Sequence, residues 1–295
     1  MLEAIAAAPD DDAPRLVYAD WLTEQQDPRG EFITLQIRRA HRVATAAERK
    51  RETALFADHR KAFLAPFEKC VALSGLKFER GFLVAARVTT TLPASTLTRL
   101  LRSLEFEGGG FAPGARFDHL ERADCSRVRT GYRLTGKAPR LREWTISAQT
   151  PEELEQWLGK TSLRVLHLKR IGAAVGAALP ALYAHRALAQ LEELDVQAPD
   201  LPVLSLKQAP ATLRRFELQA RSLNVALERG TKGWTGAVSA YPSTRRDELQ
   251  TILRSEAFTH LTRLVMRCNE FSKRELLALA ASIVKCPVTH ELTSW

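Results

Sequence analysis

A short apolar pattern, LxxLxL, constrains this chain more than any other feature. It returns at Leu141-Arg-Glu-Trp144-Thr-Ile146, Leu163-Arg-Val-Leu166-His-Leu168, Leu191-Glu-Glu-Leu194-Asp-Val196, Leu213-Arg-Arg-Phe216-Glu-Leu218 and Leu261-Thr-Arg-Leu264-Val-Met266. First positions are 22, 28, 22 and 48 residues apart. The last gap is about two units long, and residues 234–240 (WTGAVSA) supply a degenerate strand inside it. Alternation over so few residues predicts a strand, because strand side chains point to opposite faces in turn. The stretches between read as helices. Thr150-Pro151-Glu152-Glu153 has the form of a capping box, followed by Leu154, Trp157 and Leu158 and stopped by Gly159. Ser272 to Glu275 is a second capping box, ahead of Leu276, Leu279, Ala280 and Ile283. Each strand–loop–helix unit leaves an apolar face that only its neighbours can cover.

The units resemble leucine-rich repeats, and Asn269 completes LxxLxLxxN in the last of them. In the other four the asparagine position holds Gln149, Ile171, Pro199 and Arg221, so a regular asparagine ladder is absent and the array is irregular. The expected architecture is α/β: an N-terminal helical unit over 1–70, a β-hairpin and helix as connecting unit over 71–116, and an irregular solenoid of parallel strands over 117–295. Residues 117–125 and 288–293 are candidates for terminal strands. Parallel pairing follows from the helical crossovers.

Residues between the leucines point away from the core. They are Arg142, Glu143 and Thr145; Arg164, Val165 and His167; Glu192, Glu193 and Asp195; Arg214, Arg215 and Glu217; and Thr262, Arg263 and Val265. The ridge changes sign from repeat to repeat, which suits a protein partner with its own charge pattern. A phosphate backbone favours an unbroken basic stripe, and the acidic row at 192–195 interrupts one.

The N-terminal 37 residues are built differently. They hold eight acidic side chains against Arg15 and Arg29, a net of −6, so with +9 overall the remainder carries +15. Leu2, Ile5 and Ala6 share a helical face that Pro9 ends. A second helix is expected to start near Asp12 as cap with Pro14 in its first turn, with Leu16, Val17, Ala19 or Asp20, Trp21 and Leu22 as its apolar side. A third opens at Asp27-Pro28 and carries Phe32, Ile33, Gln36 and Ile37. Tyr18 and Trp21, three apart, read as core anchors, and Arg15, Asp20, Arg29 and Glu31 as ion-pair formers between short helices. Carboxylates at Asp10, Asp11 and Asp12 read as caps and dipole partners rather than metal ligands.

PDDDAPRLVYADWL followed by DPRGEFITLQ resembles a bacterial repeat-companion domain family, whose members carry a pattern near PDDDxPRLVYADWLxExGDPRGEFIxLQ. HRKAFLAPF (59–67) and FERGFLVAARV (78–88) are similar to segments that follow it, while Gln26 stands where the pattern has glycine. The resemblance implies a short helical unit ahead of a leucine-rich-like or other repeat region. The family has no activity to carry over.

Between head and repeats, residues 46–70 read as one or two amphipathic helices, with Leu55, Phe56, Phe63, Leu64 and Phe67 as their apolar set. Gly75 and Gly81 bracket a hairpin, and 93–105 reads as a helix. The glycines at 108–110 lack the lysine and hydroxyl of a phosphate loop.

Chemistry is sparse. GxSxG, HExxH and Walker patterns are absent, and the seven histidines are dispersed. Cys70, Cys125, Cys268 and Cys286 form no CxxC pair, as expected of free thiols in a reducing compartment. The start has no basic, apolar leader, and no apolar run is long enough for a membrane helix. The expectation is a cytoplasmic, non-enzymatic protein without cofactor, metal or catalytic residues. Its expected partner is another protein, bound through Arg142, Glu143, Arg164, His167, Glu192, Glu193, Asp195, Arg214, Arg215, Glu217 and Arg263. Nucleic acid on the basic body is the alternative.

Overall fold

The computed structural model describes residues 1–128, 134, 138–159, 162–200, 204–267 and 271–291. The chain forms two compact units, Met1–Leu141 and Arg142–Trp295. The first holds an N-terminal helical region and a small mixed sheet, and the second a larger mixed sheet with helices.

In the first unit, helices α1 (Leu2–Ala7), α2 (Ala13–Glu24), α3 (Pro28–Ala40) and α4 (Ala46–Leu64) precede strands β1 (Lys77–Glu79), β2 (Phe82–Val88), β3 (Ser103–Phe106) and β4 (Arg122–Asp124). Asp27 caps α3 by accepting the Arg29 amide at 2.8 Å, as its place before proline predicts. The cap expected from Asp12 is not made. Asp11 accepts the Ala13 amide at 2.9 Å instead, and Asp12 pairs with His41 at 2.7 Å and Arg80 at 2.9 Å. Helix α3 stops at Ala40, and α4 opens on a capping box of Thr45 and Glu48.

The face of α2 also differs from expectation. Arg15, Ala19 and Leu22 are its buried residues, while Trp21 is 44% exposed and Val17 60%. Ala19 and Leu22 pack with Ile5, Ala6, Ile33, Ile37 and Phe82. Small Ala19 permits close approach of α3, where Gly30 lies so near Thr23 and the Ala19 carbonyl that a Cβ would stand 2.5 Å from that oxygen. Trp21 stacks on Tyr18 at 5.9 Å from outside this core. Phe32, Phe56, Phe63 and Phe78 form an aromatic cluster joining α3, α4 and β1, with centroids 4.7 to 6.0 Å apart.

The hairpin predicted between Gly75 and Gly81 is β1 and β2, paired antiparallel across Arg80-Gly81. Gly81 has φ +87°, and a Cβ there would meet Ile33 Cγ1 at 2.1 Å, so both backbone and space exclude a side chain. The helix expected over 93–105 does not form. A 3-10 turn (Thr96–Leu100) leads into β3, which runs parallel to β2 and to β4. The LxxLxL spacing is thus already present in this unit. Leu101, Leu104 and Phe106, then Leu120, Ala123 and Cys125, occupy LxxLxL positions and are all buried.

In the second unit all five LxxLxL segments carry strands: β5 (Glu143–Ile146), β6 (Val165–Leu168), β7 (Glu193–Gln197), β8 (Arg215–Gln219) and, after a hairpin, β11 (Leu261–Arg267). That hairpin is β9 (Leu223–Gly230) and β10 (Gly233–Ala240), and β12 (Val288–Glu291) closes the series. Strands β5 to β8 are parallel, as are β10 to β12. Strand β9 runs antiparallel to both neighbours, which departs from an all-parallel array. Asn269 and Cys268 lie outside the described residues, as do 292 and 293 of the expected terminal strand.

Helices α5 (Pro151–Leu158), α6 (Ala173–Leu182), α7 (Arg246–Leu253) and α8 (Lys273–Ala281) fill the gaps. Thr150 accepts the Glu153 amide, and Ser272 with Glu275 forms the reciprocal box, as their spacing predicts. Trp144 is fully buried and meets Trp157 of α5 edge-on at 5.6 Å. Such strand-to-helix contacts make the core of this unit.

Candidate functional site

Register places the outward residues in rows across the strands of the second unit. Glu143, Val165, Glu193 and Arg215 are in line, as are Thr145, His167, Asp195 and Glu217. Their inward neighbours Trp144, Leu166, Leu194 and Phe216 are at most 2% exposed. The sheet therefore has one buried face and one largely polar face, as the alternation requires, though Thr145 on the latter is itself covered at 7% exposure. Leu166 and Leu194 face the core, and His167, Asp195 and Glu217 lie on the other side.

Charges that alternate along the sequence meet across strands. His167 sits between Asp195 at 3.4 Å and Glu143 at 3.9 Å. Arg164 reaches Glu192 at 3.5 Å, and Arg215 lies 2.5 Å from Glu217 and 4.0 Å from Glu193. The Glu217 carboxylate, by hydrogen bond and charge, holds the Arg215 guanidinium more firmly protonated than usual. Cross-strand pairs of this kind are the sheet counterpart of helical ion pairs. Among the described residues, Arg142, Arg214 and Arg263 make no ion pair. Arg142 and Arg214 lie one residue ahead of β5 and β8, and Arg263, within β11, is in line with Thr235. The face thus has a bridged acidic centre, with unpaired arginines ahead of β5 and β8 and within β11. One oxygen of Asp195, Oδ1, is buried without a hydrogen-bond partner.

The same arrangement begins in the first unit, where sequence reasoning did not look. Arg87 reaches Glu105 and Glu107, each at 3.3 Å, and Arg127 meets Glu107 at 3.0 Å. The signal was present in Leu101-Arg-Ser-Leu104-Glu-Phe106, masked by a helical reading of the leucines.

At the carboxyl ends of β6, β7 and β8 the second unit has a hollow of about 560 Å³. Gln197, Gln219 and Asn224 are in register there. Asn224 donates to the Tyr241 hydroxyl at 2.8 Å, and Gln149 Nε2 donates to the Arg170 carbonyl at 2.9 Å. Four of its lining residues, Gln149, Ile171, Pro199 and Arg221, are those that follow the LxxLxL segments at the position where Asn269 stands in the last one.

The acidic loop of the first unit serves the fold. Asp10 takes Arg102 at 2.5 Å and Arg80 at 3.5 Å, while Asp12 takes Arg80 and His41. Arg15, buried at 3% exposure, donates to the Asp11 carbonyl at 2.9 Å and lies over the Phe82 ring. Burial, then repulsion from Arg80, weakens the hold of its guanidinium on a proton. The carboxylates thus neutralise arginines that the β-region brings to α2. Glu31 pairs with Arg51 at 2.7 Å, one of the expected ties between helices.

Among the described residues no group of three or more His, Cys, Asp or Glu side chains is placed to hold a metal. None of the described helices is long and apolar enough to cross a membrane. No family model, curated protein or solved structure matches the chain.

Proposed function

We propose that this chain is a cytoplasmic, non-enzymatic binding protein whose second unit is an irregular leucine-rich-repeat-like solenoid and presents its charged strand face to another protein. The observation that carries this reading is the register of that face. The acids Glu192, Glu193 and Asp195 at β7 lie between Arg164 at β6 and Arg214 and Arg215 at β8, so the surface offers both signs in a fixed two-dimensional order. Such order favours a partner with complementary pattern over a uniform polyanion. Internal pairing lowers the field of the face at long range but leaves short-range hydrogen-bonding specificity. The resemblance of the head to the repeat-companion family supports a unit that accompanies a repeat array.

A second reading is favoured by one observation. Arg142, Arg214 and Arg263 make no ion pair among the described residues, and arginines left without a carboxylate suit phosphate groups. Affinity capture on the full chain, with and without nuclease, separates the two. A single protein retained after nuclease, and weakened about tenfold or more in Glu193→Lys/Asp195→Lys, is the expected result. Binding that disappears with nuclease and strengthens in the double variant assigns the face to nucleic acid.

A further inference from the structure

The hollow at the carboxyl ends of β6, β7 and β8 has features that a merely irregular surface does not require. Its volume, about 560 Å³, lies in the range of small-molecule sites. The charged residues that line it are Arg170 and Arg221, with no carboxylate among them. Arg221 makes no hydrogen bond or ion pair through its side chain among the described residues. Arg221 also borders an adjoining hollow lined by Asp200, Asp247 and Glu248, of which Arg245 engages the last two, at 3.3 and 3.7 Å. Gln197 and Gln219, exposed and in register on adjacent strands, carry carboxamides without side-chain hydrogen bonds among the described residues. Arg170 holds φ +54°, a region that side chains other than glycine rarely adopt, and its carbonyl is tied to Gln149. Strain of this kind is maintained where surrounding contacts enforce it, and it concentrates at ligand sites.

We propose that this hollow binds a small organic anion, a carboxylate- or phosphate-bearing metabolite, with Arg221 and Arg170 facing its charge and Gln197 and Gln219 reading its polar groups. A guanidinium matches the paired oxygens of either anion, and a carboxamide offers both a donor and an acceptor. Apolar Ile171, Ala198 and Pro199 supply a wall for the organic part. The inference goes beyond a partner on the charged strand face and does not depend on one, since no residue of the ion-paired rows lines the hollow.

Calorimetric titration of the full chain tests it with citrate, AMP and neutral adenosine as probes, in the unmodified protein and in Arg221→Ala, Gln219→Ala and Arg263→Ala. Binding of citrate or AMP in the micromolar to low-millimolar range is expected, with adenosine much weaker. Arg221→Ala should weaken the anion by about tenfold or more, the loss typical of a charge-assisted pair, and Gln219→Ala by a few-fold. Arg263→Ala, which removes the same charge from the strand face, should leave binding within about twofold. The source of the anion is read from which of the two probes binds tighter. The proposal is overturned if neither anion binds, if adenosine binds as well as AMP, or if Arg221→Ala and Arg263→Ala weaken binding equally.

Discussion

Replacing Gln36 with leucine should destabilise the first unit far more than the modest change in side-chain volume suggests. Gln36 is 4% exposed on α3 and bridges three elements. Its Nε2 donates to Glu52 of α4 at 2.9 Å, and its Oε1 accepts the Gly81 amide of the hairpin turn at 2.8 Å. Leucine leaves the Gly81 amide buried without an acceptor, which costs about 1–3 kcal/mol. It also takes one donor from the buried Glu52 carboxylate, at about 1 kcal/mol, since Arg39 remains at 2.9 Å. Added apolar burial returns roughly 1 kcal/mol at most. The net is a loss of about 1–3 kcal/mol, or a fall in urea midpoint of roughly 0.5–1.5 M at an m-value of about 2 kcal/mol/M. Far-UV circular dichroism during urea unfolding measures the loss, and amide exchange of the 77–88 segment locates it. Gln36→Glu should also destabilise, because it keeps the acceptor for Gly81 but sets a second carboxylate against Glu52. An unchanged midpoint in Gln36→Leu, or unchanged exchange at Gly81, would refute the bridging role.

Two further outcomes follow from burial and charge. Trp21→Ala should cost roughly 1 kcal/mol or less, whereas Phe32→Ala, in the middle of the aromatic cluster, should cost about 3–5 kcal/mol; chemical denaturation of both variants gives the ranking, and equal losses would contradict it. Stability should have an acid edge and an alkaline edge, checked by unfolding midpoints across pH. Arg102 holds the Asp10 carboxyl below its ordinary 3.8, and Arg51 holds that of Glu31 below 4.5, so the stability these groups contribute is present above pH 4.5 and drains away as the pH falls further. Burial, with Glu256 nearby, pushes the Tyr183 hydroxyl above its ordinary 10, so its contribution holds below pH 10 and is lost as pH rises beyond it. Tyr183→Phe should flatten the alkaline edge; an edge that persists unchanged places its cause elsewhere.

The parts of the fold set by short-range pattern were legible in the sequence. The LxxLxL strands, the caps at Asp27, Thr150 and Ser272, and the turn at Gly81 each follow from a local rule. Errors arose where tertiary contacts choose between faces or periods. Tyr18 and Trp21 share a helical face, but close packing against α3 selects Ala19 and Leu22, leaving Trp21 outside. The leucines at 97–104 satisfy both helical and strand spacing, and pairing with β2 decides for the strand. Strand β9 was missed although Leu223, Val225 and Leu227 alternate cleanly, because a turn so soon after β8 breaks the repeat length. On the charged face, the outward residues could be named from alternation alone. Which of them neutralise one another could not, because that depends on register between strands 22 to 28 residues apart.

The antiparallel strand has a consequence for chain polarity. A strand that joins a sheet through a short turn reverses direction, and every later unit joined by a helical crossover inherits that direction. Had β9 entered alone, β11 and β12 would run opposite to β5 through β8, and their helices would open at the other edge of the sheet. By returning at once through β10, the chain restores the original sense within residues 223–240. An even number of strands is therefore the smallest insertion by tight turns that a one-way array of this kind can absorb and still continue, with Leu264 and Met266 reaching the same core side as Phe216 and Leu218.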